Sequence, residues 1–156
     1  MAGVLRQATA ADVPALAELY AATARALGAW CYTQEQVAAW ASFGADTPAF
    51  RAYVLQADTW LALGEQGQPI GFCGVGHDGE VHSLYVRHDR VRQGLGSRLL
   101  AHALDAAAQR GQSRFQAWVT PFSMPVFQRQ GFVLVQTVQA EYQGVLFDRY
   151  RVQRGL

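Results

Sequence analysis

Residues 80–111 leave the fewest folds open to this chain. Glu80 to Val86 reads as a short strand in which apolar Val81, Leu84 and Val86 are interleaved with polar or aromatic neighbours. Leu95, Leu99, Leu100, Ala103, Leu104 and Ala107 then recur at spacings of three and four, the buried stripe of an amphipathic helix. Gly94 and Gly96 sit where the strand gives way to the helix. A turn without side chains lets a ligand reach the backbone, and the first N–H groups of a helix have no intrahelical acceptor. Such a turn suits a phosphate or pyrophosphate.

Two nucleotide-binding patterns do not match this turn. A Walker A loop needs Gly-Lys-Ser/Thr, and all 13 basic residues of the chain are arginine. A dinucleotide fingerprint needs a third glycine three residues after Gly96, where Leu99 stands. A plain tight connection is the alternative, and Gly-x-Gly alone does not beat it.

The flanking residues do more. Leu84-Tyr85-Val86, followed by Val91-Arg92-Gln93-Gly94-Leu95-Gly96, resembles the acetyl-CoA site of the GNAT superfamily of N-acetyltransferases. The family signature is Gln/Arg-x-x-Gly-x-Gly/Ala after a strand ending in Leu-Tyr-Val or similar. The resemblance implies acetyl-CoA as cofactor, with its phosphates on Arg92, Gln93, Gly94, Leu95, Gly96 and Ser97. It also implies that main chain at Leu84, Tyr85 and Val86 meets the thioester, where a bulge opens the sheet for the pantetheine arm. Val91 occupies the signature's Gln/Arg position, a departure expected to weaken the site rather than remove it, with Arg90 or Arg92 supplying charge. Arg87, Arg90, Arg92 and Arg98 all flank the turn, as a polyanionic ligand would require.

Thr120 to Phe132 resembles a second family segment, Asn/Ser-x-x-Ala-x-x-Phe/Leu-Tyr-Glu-x-x-Gly-Phe. Gly131 and Phe132 match, and Thr120, Ser123 and Gln128 take the Asn/Ser, Ala and Glu places. Phe127 stands where many members carry a tyrosine that protonates the departing thiolate. The acid is then Tyr142, Tyr85, Cys73 or water, or the thiolate leaves without one, or catalysis is lost.

Acetyl transfer to an amine also needs a base. Glu80 precedes Val86 by six residues, where several family members carry a catalytic glutamate. Alternation places His82 on the same face, with Leu84 beyond, so a carboxylate and an imidazole are expected to share one pocket wall. A surface residue at a hairpin end is the competing reading of Glu80, and a packed or substrate-contacting residue that of His82. His77, His82 and His88 form no recognisable metal triad, and no metal is assigned.

Upstream, Val4 to Ala8 reads as an edge strand. Thr9 with Asp12 opens a helix whose buried face is Val13, Leu16, Leu19, Tyr20, Thr23 and Leu27, closed by Gly28. Thr33 with Gln36 opens a second helix, and Thr47 with Pro48 a third. Strands follow at about 59–65 and 69–77, joined by a turn at Gln66-Gly67-Gln68. Beyond the long helix come a strand at 113–119, a short helix at 123–130, and a hairpin of 132–139 with 145–152. The order β-α-α-α-β-β-β-α-β-α-β-β gives the fold class α/β, a GNAT-type mixed sheet flanked by helices, in a single domain over 1–156. Tyr32 to Trp40 looks like a tract found in one group of bacterial GNAT proteins. Trp30, Tyr32, Trp40 and Phe43 are therefore either core packing or an acceptor-site wall.

Apolar residues make up 51% of the chain and charged residues 16%, as in a globular protein. No apolar run approaches the roughly 20 residues that span a bilayer. The N-terminus shows no signal pattern, and Cys31 and Cys73 lack metal-ligand spacing, so a cytoplasmic location is expected. A net charge of +1 argues against nucleic acid, and so against a tRNA-directed acetyltransferase. The reading is an acetyl-CoA-dependent N-acetyltransferase acting on a primary amine of a small molecule or peptide. A non-catalytic acyl-CoA binding or sensing protein is the alternative, and a homodimer is possible in either case.

Overall fold

The computed structural model describes residues 4–155. Its elements run β1 (Leu5–Gln7), α1 (Val13–Gly28), α2 (Gln34–Ser42), α3 (Pro48–Leu55), β2 (Asp58–Leu63), β3 (Pro69–Val75) and β4 (Val81–Val86). Then follow α4 (Leu95–Gln109), β5 (Arg114–Val119), α5 (Met124–Arg129), β6 (Val133–Tyr142) and β7 (Val145–Gly155). This is the order expected from the sequence.

The strands form two antiparallel pieces, β1-β2-β3-β4 and β5-β7-β6. They touch through one parallel bridge, Glu80 to Gln116, which makes the assembly a mixed sheet. Beyond that bridge β4 and β5 separate. Gly79 holds the junction: Gln116 N–H donates to its carbonyl at 3.2 Å, and its φ of 84° lies in the left-handed region.

Each face of the sheet has its own core. On one, α4 presents Leu95, Leu99, Leu100, Ala103, Leu104 and Ala107, the stripe read from the sequence, against Cys73, Val75 and Val81. On the other, α1 and α3 bring Val13, Leu16, Tyr20, Phe50 and Val54 against Leu61 and Phe72. β3 is buried on both sides, which is why Pro69–Val75 reads as an unbroken apolar run.

Capping residues start the helices where expected. Thr33 and Gln36 exchange hydrogen bonds at 2.9 and 3.1 Å, and the Thr47 hydroxyl accepts from Phe50 N–H. Asp12 accepts from Thr9 N–H at 2.7 Å and pairs with both terminal nitrogens of Arg6 at 2.9 Å. The Arg6 hydrogen bonds hold the Asp12 carboxyl below the usual carboxylate range. Gly28 ends α1, but without a left-handed cap. A Cβ there would lie 2.8 Å from Val37 Cγ2, so the glycine lets α2 pack close.

Two expectations change. The final hairpin is longer than read, because Gln143 (φ 51°) and Gly144 (φ 78°) make a two-residue turn that sustains pairing to Tyr142 and Val145. Strict alternation in β4 also fails. Gly74 pairs with Ser83 but Val75 with Val81, so His82 is the extra residue of a bulge. Val81, Leu84 and Val86 consequently all pack on the α4 side, while Tyr85 packs on the α1 side. Leu84 thus does not continue the Glu80–His82 face.

The junction at Gly79 is testable. A Cβ there would run into the Arg114 carbonyl, and the positive φ adds strain. Gly79→Ala should cost at least about 1–2 kcal/mol of stability in urea unfolding, and an unchanged midpoint would contradict this account of the corner.

Candidate active site

The divergence of β4 and β5 opens a narrow cleft of about 50 Å³, lined by Leu84, Tyr85, Trp118, Thr120, Ser123 and Phe127. Ladder parity fixes which backbone groups face it. Arg87 N–H donates to Ile70 of β3 at 2.8 Å, so Tyr85 also turns its polar groups to β3. The N–H groups of Leu84 and Val86 then face the cleft, where no strand pairs with them. Of the three residues expected to serve through main chain, Leu84 and Val86 present donors and Tyr85 presents its ring.

At the far end of β4 the chain makes a single 3₁₀ turn and enters α4. Arg92 (φ 64°) and Gly94 (φ 78°) both take left-handed conformations there. Among the described residues no side chain caps α4, and the first N–H to bond within it is Arg98, to Gly94 O at 3.0 Å. The N–H groups ahead of Arg98 are left for an anion, and Arg92, Gln93 and Gly94 are exposed around them. Gly96 looks toward Val86 and Val126, each more than 3.5 Å from where its Cβ would be. Uncapped donors, a left-handed turn and an open strand edge in line fit a pyrophosphate carrying an extended arm. Arg87 is engaged elsewhere, in a two-point pair with Asp89 at 2.6 and 3.0 Å.

On the α1 side the cleft opens into a cavity of about 480 Å³. Its wall is aromatic: Tyr20 of α1, Trp40 of α2 and Tyr53 of α3, with Phe147 of β7 and with Tyr32 and Phe43 from the chain just before and just after α2. The rings meet largely edge-on, Tyr32 on Trp40 at 5.5 Å and on Phe147 at 5.7 Å. Trp40 donates its indole N–H to the Tyr85 hydroxyl at 3.2 Å, so it is at once packing and wall. Trp30 is neither: it is 83% exposed and outside the cavity. The helix that carries Trp40 is tied to the β6–β7 hairpin by Gln36 Nε2 to Leu146 O at 2.8 Å.

Glu80 and His82 both line this cavity, as the sequence suggested. Glu80 is not a free hairpin-end residue. Its side chain is 19% exposed, and both oxygens pair with Arg151 at 2.9 Å. Each carboxylate oxygen keeps a further acceptor position. Arg151 and Arg149 also lie against the Trp118 ring, at 4.9 and 4.2 Å. Sequence reading missed all three, because β7 pairs Arg151 opposite Trp118 from a strand far along the chain. His82 makes no hydrogen bond among the described residues. It lies at the seam of the cavity, the cleft and a smaller hollow beside α3.

The candidate acids sort by position. Cys73 is fully buried, lines none of these spaces, and has its thiol pushed up by burial. Tyr142 lines the cavity but not the cleft, and Tyr85 lines both. Burial raises Tyr85 above its ordinary value, against the hydrogen bonds from Trp40, Tyr20 and Tyr53. Phe127 is buried and edge-on to Phe132 at 5.1 Å, forming the cleft's apolar floor. Thr120 and Ser123 exchange backbone-to-hydroxyl bonds at 3.1 and 3.2 Å, which fixes the turn into α5 above it.

A family model described as an acetyltransferase (GNAT) domain matches residues 29–154. The chain belongs to the GNAT acetyltransferase family. It carries an N-acetyltransferase domain of that family. It is similar to an uncharacterised N-acetyltransferase, YuaI, of Bacillus subtilis, 34% identical over 68 residues. That match spans 38% of this chain and 39% of the relative's length. Among solved structures, a GCN5-related N-acetyltransferase from Rhodopseudomonas palustris superposes with a TM-score of 0.92 at 26% identity, covering 100% of this chain and 97% of that one. The fold is shared with PaiA N-acetyltransferase from Thermoplasma acidophilum in complex with coenzyme A, with a TM-score of 0.81 at 15% identity and all of both chains covered. Among the described residues no helix is long and apolar enough to cross a membrane.

A methyl group at Gly96 meets only ordinary contacts in the protein. Gly96→Ala, which the family signature admits, should therefore leave fold and affinity nearly unchanged, whereas Gly96→Val should weaken acetyl-CoA binding at least about tenfold by calorimetry, through blocked approach to the backbone. Unaltered affinity in the valine variant would remove Gly96 from the cofactor turn.

Proposed function

We propose that this chain transfers the acetyl group of acetyl-CoA to a primary amine of a small molecule or peptide held in the aromatic cavity. The observation that carries this reading is the seam along His82, Tyr85, Trp118 and Thr120, where the cleft and the cavity share their lining. A thioester in the cleft and an amine in the cavity would meet there, with Glu80 on the amine side.

Acetyl-CoA, when bound, supplies the acetyl group already activated as a thioester. The chain contributes position and proton handling. The uncapped start of α4, with Gly94, Gly96 and Ser97, holds the phosphates, and Arg92 adds charge. The N–H groups of Leu84 and Val86 face the place where negative charge develops on the carbonyl oxygen. Glu80 accepts the amine's proton, directly or through one water, as the N–C bond forms and the C–S bond breaks. Arg151 keeps the carboxylate oriented. His82, exposed at the seam, contacts the acceptor.

No side chain needs to protonate the departing sulfur. An ordinary thiol has a pKa of about 8.5, below that of a phenol. Tyr85, pushed still higher by burial, would give up its proton only uphill. With Phe127 in the cleft floor, the sulfur leaves as thiolate.

Glu80→Gln should keep acetyl-CoA affinity and lower turnover about 10²–10⁴-fold, the usual worth of a general base. The wild-type rate should rise with pH to a plateau without a descending limb from a protein acid, and the glutamine variant should flatten the rise. Full turnover in that variant would move the base to His82 or water. Tight acetyl-CoA binding with no amine acetylated would instead support the binding-only reading that Phe127 motivates.

A further inference from the structure

The acetyltransferase reading leaves one charged group of the cavity without a task. Arg149 lines the cavity and lies 4.2 Å from the centre of the Trp118 ring, beside Arg151 on the same face of β7. Arg151 is satisfied by Glu80. Arg149 has no carboxylate within ion-pair distance and donates no hydrogen bond among the described residues. Burial and the Arg151 charge both pull its guanidinium below the usual value, with the Glu80 carboxylate pulling the other way. The acids nearest the cavity mouth do not fill the gap: Glu141 is exposed, and exposed Asp148 accepts from Gln139 at 3.3 Å.

A half-buried cation beside the acceptor site is costly unless something compensates it. It also disfavours a purely cationic acceptor. We propose, building on the acetyltransferase reading, that Arg149 binds a carboxylate carried by the acceptor, so that the substrate is an amino acid or similar amino-carboxylate with an apolar side chain.

Three features narrow the class. One unpaired guanidinium matches one negative charge, which suits a carboxylate better than a phosphate dianion. Trp118 belongs to both cleft and cavity, so a carboxylate on Arg149 lies a short reach from the thioester and fits an amine close to it in the same molecule. The rings of Tyr32, Trp40, Phe43 and Phe147 offer an apolar surface to the rest of the acceptor. A volume of about 480 Å³ is that of a small-molecule pocket. A peptide N-terminus would place its carboxylate many bonds away and leave Arg149 unmatched.

The test compares phenylalanine, phenylalanine amide and phenethylamine as acceptors, following release of the CoA thiol. Phenylalanine should exceed the other two in kcat/KM by about 10- to 100-fold, the worth of a charged hydrogen-bonded contact. In Arg149→Ala that ratio should collapse toward one, and Arg149→Lys should restore part of it. Calorimetric binding of phenylalanine to the CoA-loaded protein should weaken in parallel, which reads the contact even if turnover is slow. Equal use of all three by the wild type, preference for phenylalanine amide, or absence of phenylalanine binding would overturn the carboxylate assignment. Acetylation of phenethylamine alone would do so while leaving the acetyltransferase reading intact; failure to bind acetyl-CoA would overturn that reading instead.

Discussion

Everything distinctive about this molecule depends on two neighbouring strands failing to stay together. β4 and β5 touch through the Glu80–Gln116 bridge and then diverge, although backbone donors and acceptors along a sheet are costly to leave unpaired. The bulge at His82 lies next to that bridge, where it bends and twists β4. The N–H groups of Leu84 and Val86 are the ones released.

The same bulge sorts chemistry by face. By letting Val81 and Leu84 both reach the α4 core, it leaves Glu80 and His82 on the cavity side without sacrificing packing. Glu80 is then held by Arg151 in a pair with about four-fifths of each side chain shielded from water. Such a pair lies between exposed bridges, worth about 0–1 kcal/mol, and buried ones, whose breakage costs about 3–5 kcal/mol. It fixes the direction of the carboxylate more than it stabilises the fold. Phe127 follows the same logic: the position serves packing against Phe132 and, in the mechanism proposed above, leaves departure to the acidity of the thiol itself.

Local features were readable because local physics sets them. The caps at Thr9, Thr33 and Thr47, the α4 stripe and the glycine turn each depend on residues within a few positions of one another. The bulge also left a trace, since Val81 and Leu84 are three apart where alternation requires two. Arg151 and Arg149 left none. Their place beside Glu80 and Trp118 comes from the β5–β7 register, which joins residues more than thirty positions apart. Trp30 was misread for the complementary reason. Trp40 turns inward on α2 and Tyr32, in the same turn as Trp30, packs against it, whereas Trp30 points to solvent.

The central claim is that the gap between β4 and β5 delivers a thioester to the seam beside the aromatic cavity. A crystal structure with acetyl-CoA tests it most directly. The account predicts the pantetheine arm along the β4 edge, with the thioester oxygen within about 3 Å of Leu84 or Val86 N–H and the acetyl group directed toward Glu80. Acetyl-CoA bound elsewhere, or β4 and β5 zipped together beneath it, would contradict the account.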